Sequence, residues 1–264
     1  MRKYLIAGFF LSVWLLAAGV DKGQVDEGVR LFKAKKFDRS YKLLLPAARA
    51  GDARAQFYLG LLYDMGSIRL MDKNRAVEWY RKAAEQGYAD AQYDMGVMFS
   101  KGEGIYKDLE EARHWYEKAA AQGQGYALYN LGVVWDRGYG VTPDFDKARG
   151  YYERAAAKGI AKAAYNLANH YYKGKGVPKD LSKAFHYYRQ AAKLGHAAAQ
   201  FHLGWLYQQG EGVERNATLA KRWYRESAIN GSREGAWNYG LMLEREGSPE
   251  AGYWKKRGKP NDGE

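Results

Sequence analysis

The sequence predicts an all-α fold, an α/α solenoid assembled from helical hairpins of 36 residues. Three observations predict it. The string EWYRKAAEQG, residues 78–87, returns as HWYEKAAAQG, GYYERAAAKG, HYYRQAAKLG and RWYRESAING, closing at Gly123, Gly159, Gly195 and Gly231 in one register with Gly51. Within each copy the apolar and small residues fall at i, i+3, i+4, i+7 and i+8, as in Ala76, Trp79, Tyr80, Ala83 and Ala84, which is one stripe of an amphipathic helix. Each copy also has a start signal in a fixed column (Asp72, Asp108, Asp144, Asp180, Asn216), an oxygen able to accept from the first free amides. Self-similarity at a period between about 20 and 50 residues marks stacked repeats rather than one closed core. The 264 residues are therefore read as one elongated domain.

Along the chain, Arg2 and Lys3 precede an apolar run from Tyr4 to Val20 that ends in Ala17, Ala18 and Gly19. This is the layout of a secretory signal peptide, over 1–19, with a cut after Gly19. The alternative, an uncleaved anchor, stands at the lower limit of length for spanning a bilayer and would be the chain's sole membrane attachment. There is no cysteine, which excludes lipid attachment after the run, thiolate catalysis, zinc–thiolate sites and disulfide framing. Export without cysteine points to the bacterial envelope, periplasmic or secreted.

Residues 20–51 read as an N-terminal capping hairpin, because Ala47, Ala48 and Gly51 stay in column while Ser40, Leu43 and Leu44 do not. Five repeats follow at 52–87, 88–123, 124–159, 160–195 and 196–231, then a partial repeat or cap at 232–254 and a polar tail at 255–264 read as disordered. The first half of each repeat is a helix with a small residue at its centre (Gly60, Gly96, Gly132, Ala168, Gly204), a propensity cost of up to about 1 kcal/mol that implies close helix approach. The alanine pair, such as Ala83 and Ala84, is the expected opposite face. Between the helices lies Gly-x-Gly at 102–104, 138–140, 174–176 and 210–212, followed by Ile105, Val141, Val177 or Val213. No strand precedes it, so a tight turn is read there and not a nucleotide cradle. The first repeat has GSIRLMD instead, a loop expected to differ in shape.

These strings resemble the Sel-1-like repeat family, relatives of the tetratricopeptide repeat, over about residues 52–231, nearly letter for letter at 91–123 and 163–195. The resemblance implies a right-handed α/α superhelical solenoid that serves as a protein-interaction scaffold, in bacteria often exported and acting in envelope assembly, signalling regulation or host contact. Some helicobacter relatives are described as β-lactamase-like, but they are cysteine-rich in every repeat, and this chain departs from them.

The formal charge is +12 and uneven: residues 160–195 set seven basic side chains against Asp180 alone, whereas 88–123 set four basic against seven acidic. Such a dipolar chain favours oriented encounter with a charged partner. An acidic or extended protein segment is the leading partner class, an acidic envelope glycan the alternative, and nucleic acid is not expected outside the cytoplasm. The candidate partner-binding residues sit on the first helix of each repeat. One column holds Tyr58, Asp94, Asn130, Asn166, His202 and Asn238, placed either to hold a peptide backbone or to tie one repeat to the next. Asn169 and Trp205 share a second column, and Asp136, Tyr172 and Gln208 a third, beside Lys162 and Lys173. The histidines His114, His170, His186, His196 and His202 show no metal-ligand spacing, and no triad or nucleophile string is visible. No catalytic residue, cofactor or metal is assigned.

Overall fold

The computed structural model describes residues 21–66 and 72–259. The segment 1–19 expected to be a signal peptide cut after Gly19, most of the GSIRLMD loop and the end of the tail lie outside the described residues. The described residues form fourteen α-helices and no strand. They divide into two compact units. In the first, α1 (Lys22–Lys33) pairs with α2 (Phe37–Arg49), α3 (Ala53–Asp64) with α4 (Lys73–Glu85), and α5 (Ala89–Lys101) with α6 (Leu109–Ala121). In the second, α7 (Gly125–Arg137) pairs with α8 (Phe145–Ala157), α9 (Ala161–Lys173) with α10 (Leu181–Lys193), α11 (Ala197–Gln209) with α12 (Ala217–Ile229), and α13 (Arg233–Arg245) with α14 (Ala251–Gly258). Lys255–Gly258, read from sequence as the start of a disordered tail, instead close α14, because Trp254 and Ala251 pack on Tyr239 and Leu243.

The helix boundaries follow from local chemistry. Asp72, Asp108, Asp144, Asp180 and Asn216 each accept a backbone amide at the start of the second helix of a hairpin. Just past the end of those helices, Gly87, Gly123, Gly159, Gly195 and Gly231 have φ between +79° and +92°, the left-handed turn that suits glycine.

Packing inside a hairpin differs from the sequence expectation. The central glycine of the first helix faces not the alanine pair but the ring of the buried tyrosine in the second helix: a Cβ on Gly60, Gly132 or Gly204 would lie 2.4–2.8 Å from Tyr80, Tyr152 or Tyr224. Those tyrosines are fully buried, as is Tyr188, and each hydroxyl reaches the end of the first helix: Tyr80 to Asp64, Tyr152 to Asp136, Tyr188 to Asn169, Tyr224 to Gln208. One large side chain thus fills the hairpin centre and still satisfies its polar end.

Between hairpins, three contacts recur. Gln56, Gln92 and Gln200, all buried, donate to Ala48, Ala84 and Ala192 carbonyls of the preceding helix at 3.0–3.1 Å. The second glycine of the Gly-x-Gly turn packs on the preceding hairpin: a Cβ on Gly104 would meet the Lys73 carbonyl oxygen at 2.4 Å, and one on Gly212 the Leu181 carbonyl oxygen at 2.3 Å. The residue between the glycines reaches back as well, Glu103 to Lys73 at 3.1 Å and Lys175 to Asp136 at 2.7 Å. The turn read from sequence as a local device is therefore also the seam between successive repeats.

Candidate functional site

The first helices of the second unit, α7, α9, α11 and α13, carry most of the predicted residues, and the structure gives them distinct places. Asn166 lies within hydrogen-bonding reach of the Tyr129 and Tyr152 hydroxyls, so it ties α9 to the preceding hairpin. Asn130 is half-buried in the same column. His202 stacks on Tyr188 with centroids 4.9 Å apart at 20°, next to Tyr165, which itself stacks on His196. Burial and the nearby Lys173 lower the His202 imidazole to about 4, so it is a neutral aromatic plate at pH 7. Asn238 donates to the Glu234 carbonyl one turn back at 2.9 Å. It also lines a cleft of about 550 Å³ with Phe201, Arg233, Glu234 and Trp237. In the first unit Asp94 is half-buried, and burial, with Asp64 and Asp90 nearby, raises its carboxyl to about 7.

Asp136, Asn166, Asn169 and Lys173 are brought together. With Arg137 and Lys175 they line a cleft of about 170 Å³ between α7 and α9. Burial alone would raise the Asp136 carboxyl, but His170 and Lys175 beside it hold it at about 2. Lys175 Nζ is 2.7 Å from Asp136 Oδ1 and the His170 Nε2 is 3.1 Å away, the latter without the alignment of a hydrogen bond. Asn169 Oδ1 accepts from the Tyr188 hydroxyl at 2.7 Å, an arrangement that leaves its Nδ2 hydrogens for another acceptor. Lys162 and Lys173 are exposed.

Further along the wall, Tyr172 lies under Lys179, whose Nζ is 5.6 Å from the ring centroid, and its hydroxyl sits near Glu211 and Trp205. Trp205 is 37% exposed, in a column that holds Leu61, Val97, Val133 and Asn169 in earlier repeats. Gln208 is occupied by the Tyr224 hydroxyl at 2.6 Å.

Sequence reasoning missed Arg137, His170 and Lys175. A signal for His170 was present: its column is otherwise Leu62, Met98, Val134 and Leu206, so a buried imidazole there needs a polar neighbour. Among the described residues no group of His, Asp or Glu could hold a metal ion, and no helix is long and apolar enough to cross a membrane.

Known proteins share this fold. The family model described as Sel1 repeat matches residues 53–88, 89–124, 125–160, 161–196 and 197–232. A Sel1 repeat protein from Oxalobacter formigenes is 32% identical with a TM-score of 0.78, over 91% of this chain and 98% of that one. A protective antigen present in uropathogenic Escherichia coli strains, displaying an SLR fold, is 30% identical with a TM-score of 0.82. It is matched over 90% of this chain and 53% of its own length, so this chain spans about half of that antigen. An immunity protein from Pseudomonas aeruginosa shares the fold at 22% identity, with a TM-score of 0.51 over 81% of this chain and 82% of that one. No match to a curated protein was found.

Proposed function

Because this chain belongs to the Sel1 repeat family, whose members generally act as non-catalytic protein-interaction scaffolds, we propose that it holds a partner protein on the first-helix wall of its second unit. The partner presents an extended, acidic segment. The observation that carries this reading is Trp205, a large ring left exposed where the other repeats place smaller side chains, with Tyr172 and the cations Lys173 and Lys179 close by. An aromatic anchor beside cations suits an acidic peptide with an apolar side chain. Polar residues turned inward, such as Asn166 and Gln208, serve to fix the wall rather than to touch the partner.

The apolar run behind Arg2 and Lys3 supports placing this scaffold in the bacterial envelope, exported through a cleaved signal. The test is capture of partners from periplasmic extract by the whole chain. Substituting Tyr172→Ala and Trp205→Ala together with Lys162→Glu and Lys173→Glu abolishes capture while helicity is retained; unchanged capture refutes the wall assignment.

A further inference from the structure

The cleft between α7 and α9 contains more cation than its own structure uses. Its one acid, Asp136, is already answered by Lys175 at 2.7 Å and by the His170 ring at 3.1 Å. Arg137 and Lys173 also line the cleft and form no ion pair among the described residues. Asn169 adds an amide whose oxygen is taken by Tyr188 and whose hydrogens remain for an acceptor. His170 is 3% exposed, with Nε2 turned to Asp136. The volume, about 170 Å³, is below that of a small-molecule pocket and takes a single charged group.

We propose that Arg137, Asn169 and Lys173 form a subsite for one carboxylate of the bound segment. A planar carboxylate matches the fork of Arg137, leaves an oxygen for Lys173, and accepts from Asn169. The subsite rests on the reading of this wall as a partner-binding surface and names the group it recognises. Both cations also stand in the last turn of their helices, where a positive charge is favourable to the helix end. A merely structural role would therefore appear in stability and not in affinity.

Two sources can supply the carboxylate, a chain terminus or an Asp or Glu side chain, and short probes separate them. Tetra-glutamine with a free C-terminus, capped at its N-terminus by an uncharged BODIPY dye, carries only the terminal carboxylate; the same dye on amidated tetra-glutamate presents only side-chain carboxylates, and on amidated tetra-glutamine neither. Anisotropy with the whole chain at low salt is expected to show binding of at least one carboxylate probe and none of the blank. Arg137→Met with Lys173→Met weakens it at least about tenfold, and Asn169→Asp abolishes it. Lys193→Met, which removes an exposed cation outside both the cleft and the wall, changes it less than about twofold. Binding of the blank, no binding of either carboxylate probe, or an equal loss in Lys193→Met overturns the subsite. Each variant's far-UV circular dichroism and urea midpoint report whether it folds. If a Tyr172→Ala, Trp205→Ala double variant with Lys162 and Lys173 kept loses partner capture while the cleft variants leave every probe unaffected, the subsite alone fails. If the cleft binds but that double variant still captures, the wider wall is what fails.

Discussion

Replacing Gly212 by alanine isolates what the Gly-x-Gly turn contributes to stacking. Gly212 has φ +69°, so any Cβ incurs the left-handed penalty of about 1–2 kcal/mol. The Cβ would also stand 2.3 Å from the Leu181 carbonyl oxygen and 2.5 Å from its carbon, backbone atoms at the start of α10 that cannot rotate aside. Overpacking of that kind costs about 1–3 kcal/mol more, giving roughly 2–5 kcal/mol in all. Gly195 is the control: its φ is +82° and nothing lies within 4 Å of the added Cβ, so Gly195→Ala should lose only the left-handed penalty. Urea unfolding followed by far-UV circular dichroism measures both, and hydrogen exchange of α11 amides reports where the seam opens. Equal losses in the two variants would refute the stacking role and leave Gly212 as a turn residue only.

Three further outcomes follow from the geometry. Asp94 has a folded carboxyl value of about 7 against 3.8 as its unperturbed value, so the folded first unit binds a proton that the unfolded chain has released. That stabilisation is full below about pH 4 and is lost as pH rises through 7; between pH 5 and pH 8 it falls by at most about 2.7 kcal/mol, and Asp94→Asn should remove that share of the difference. His202 behaves oppositely: its value falls from 6.5 to about 4, so its contribution is present above pH 6.5 and lost as pH falls through 4. Acid titration with exchange detection should show the second unit weakening over that range, and His202→Phe should flatten the profile. Gln92→Leu leaves the Ala84 carbonyl without its 3.1 Å donor and Gln122 without an acceptor at 2.8 Å, a loss of about 1–3 kcal/mol read by thermal unfolding.

The hairpins were legible because their signals are local and repeat. The capping column from Asp72 to Asn216 and the closing glycines from Gly87 to Gly231 each act within one helix end, and a single register exposes them. What periodicity cannot say is which columns of neighbouring units touch. The partner of Gly132 was misread for that reason: small residues suggested an alanine face, yet the hairpin places the Tyr152 ring opposite, twenty residues on. Asp136, His170 and Lys175 are separated by 34 and 39 residues, neither equal to the repeat, so the register itself concealed the group. Trp205 and Lys173 were visible as irregular letters, but their exposure, which gives them meaning, belongs to packing.

The backward reach of the turn residue bears on how such a chain can lengthen. Tandem duplication is the simplest way to add a hairpin, yet a second copy of 160–195 inserted after the first would set a new Lys175 and a new His170 against Tyr172, the occupant of the Asp136 column. The incoming copy would carry a buried imidazole and a lysine with no acid to meet. Each junction is thus keyed to its predecessor, and the order of the copies is inherited as a sentence is, not as a string of interchangeable beads.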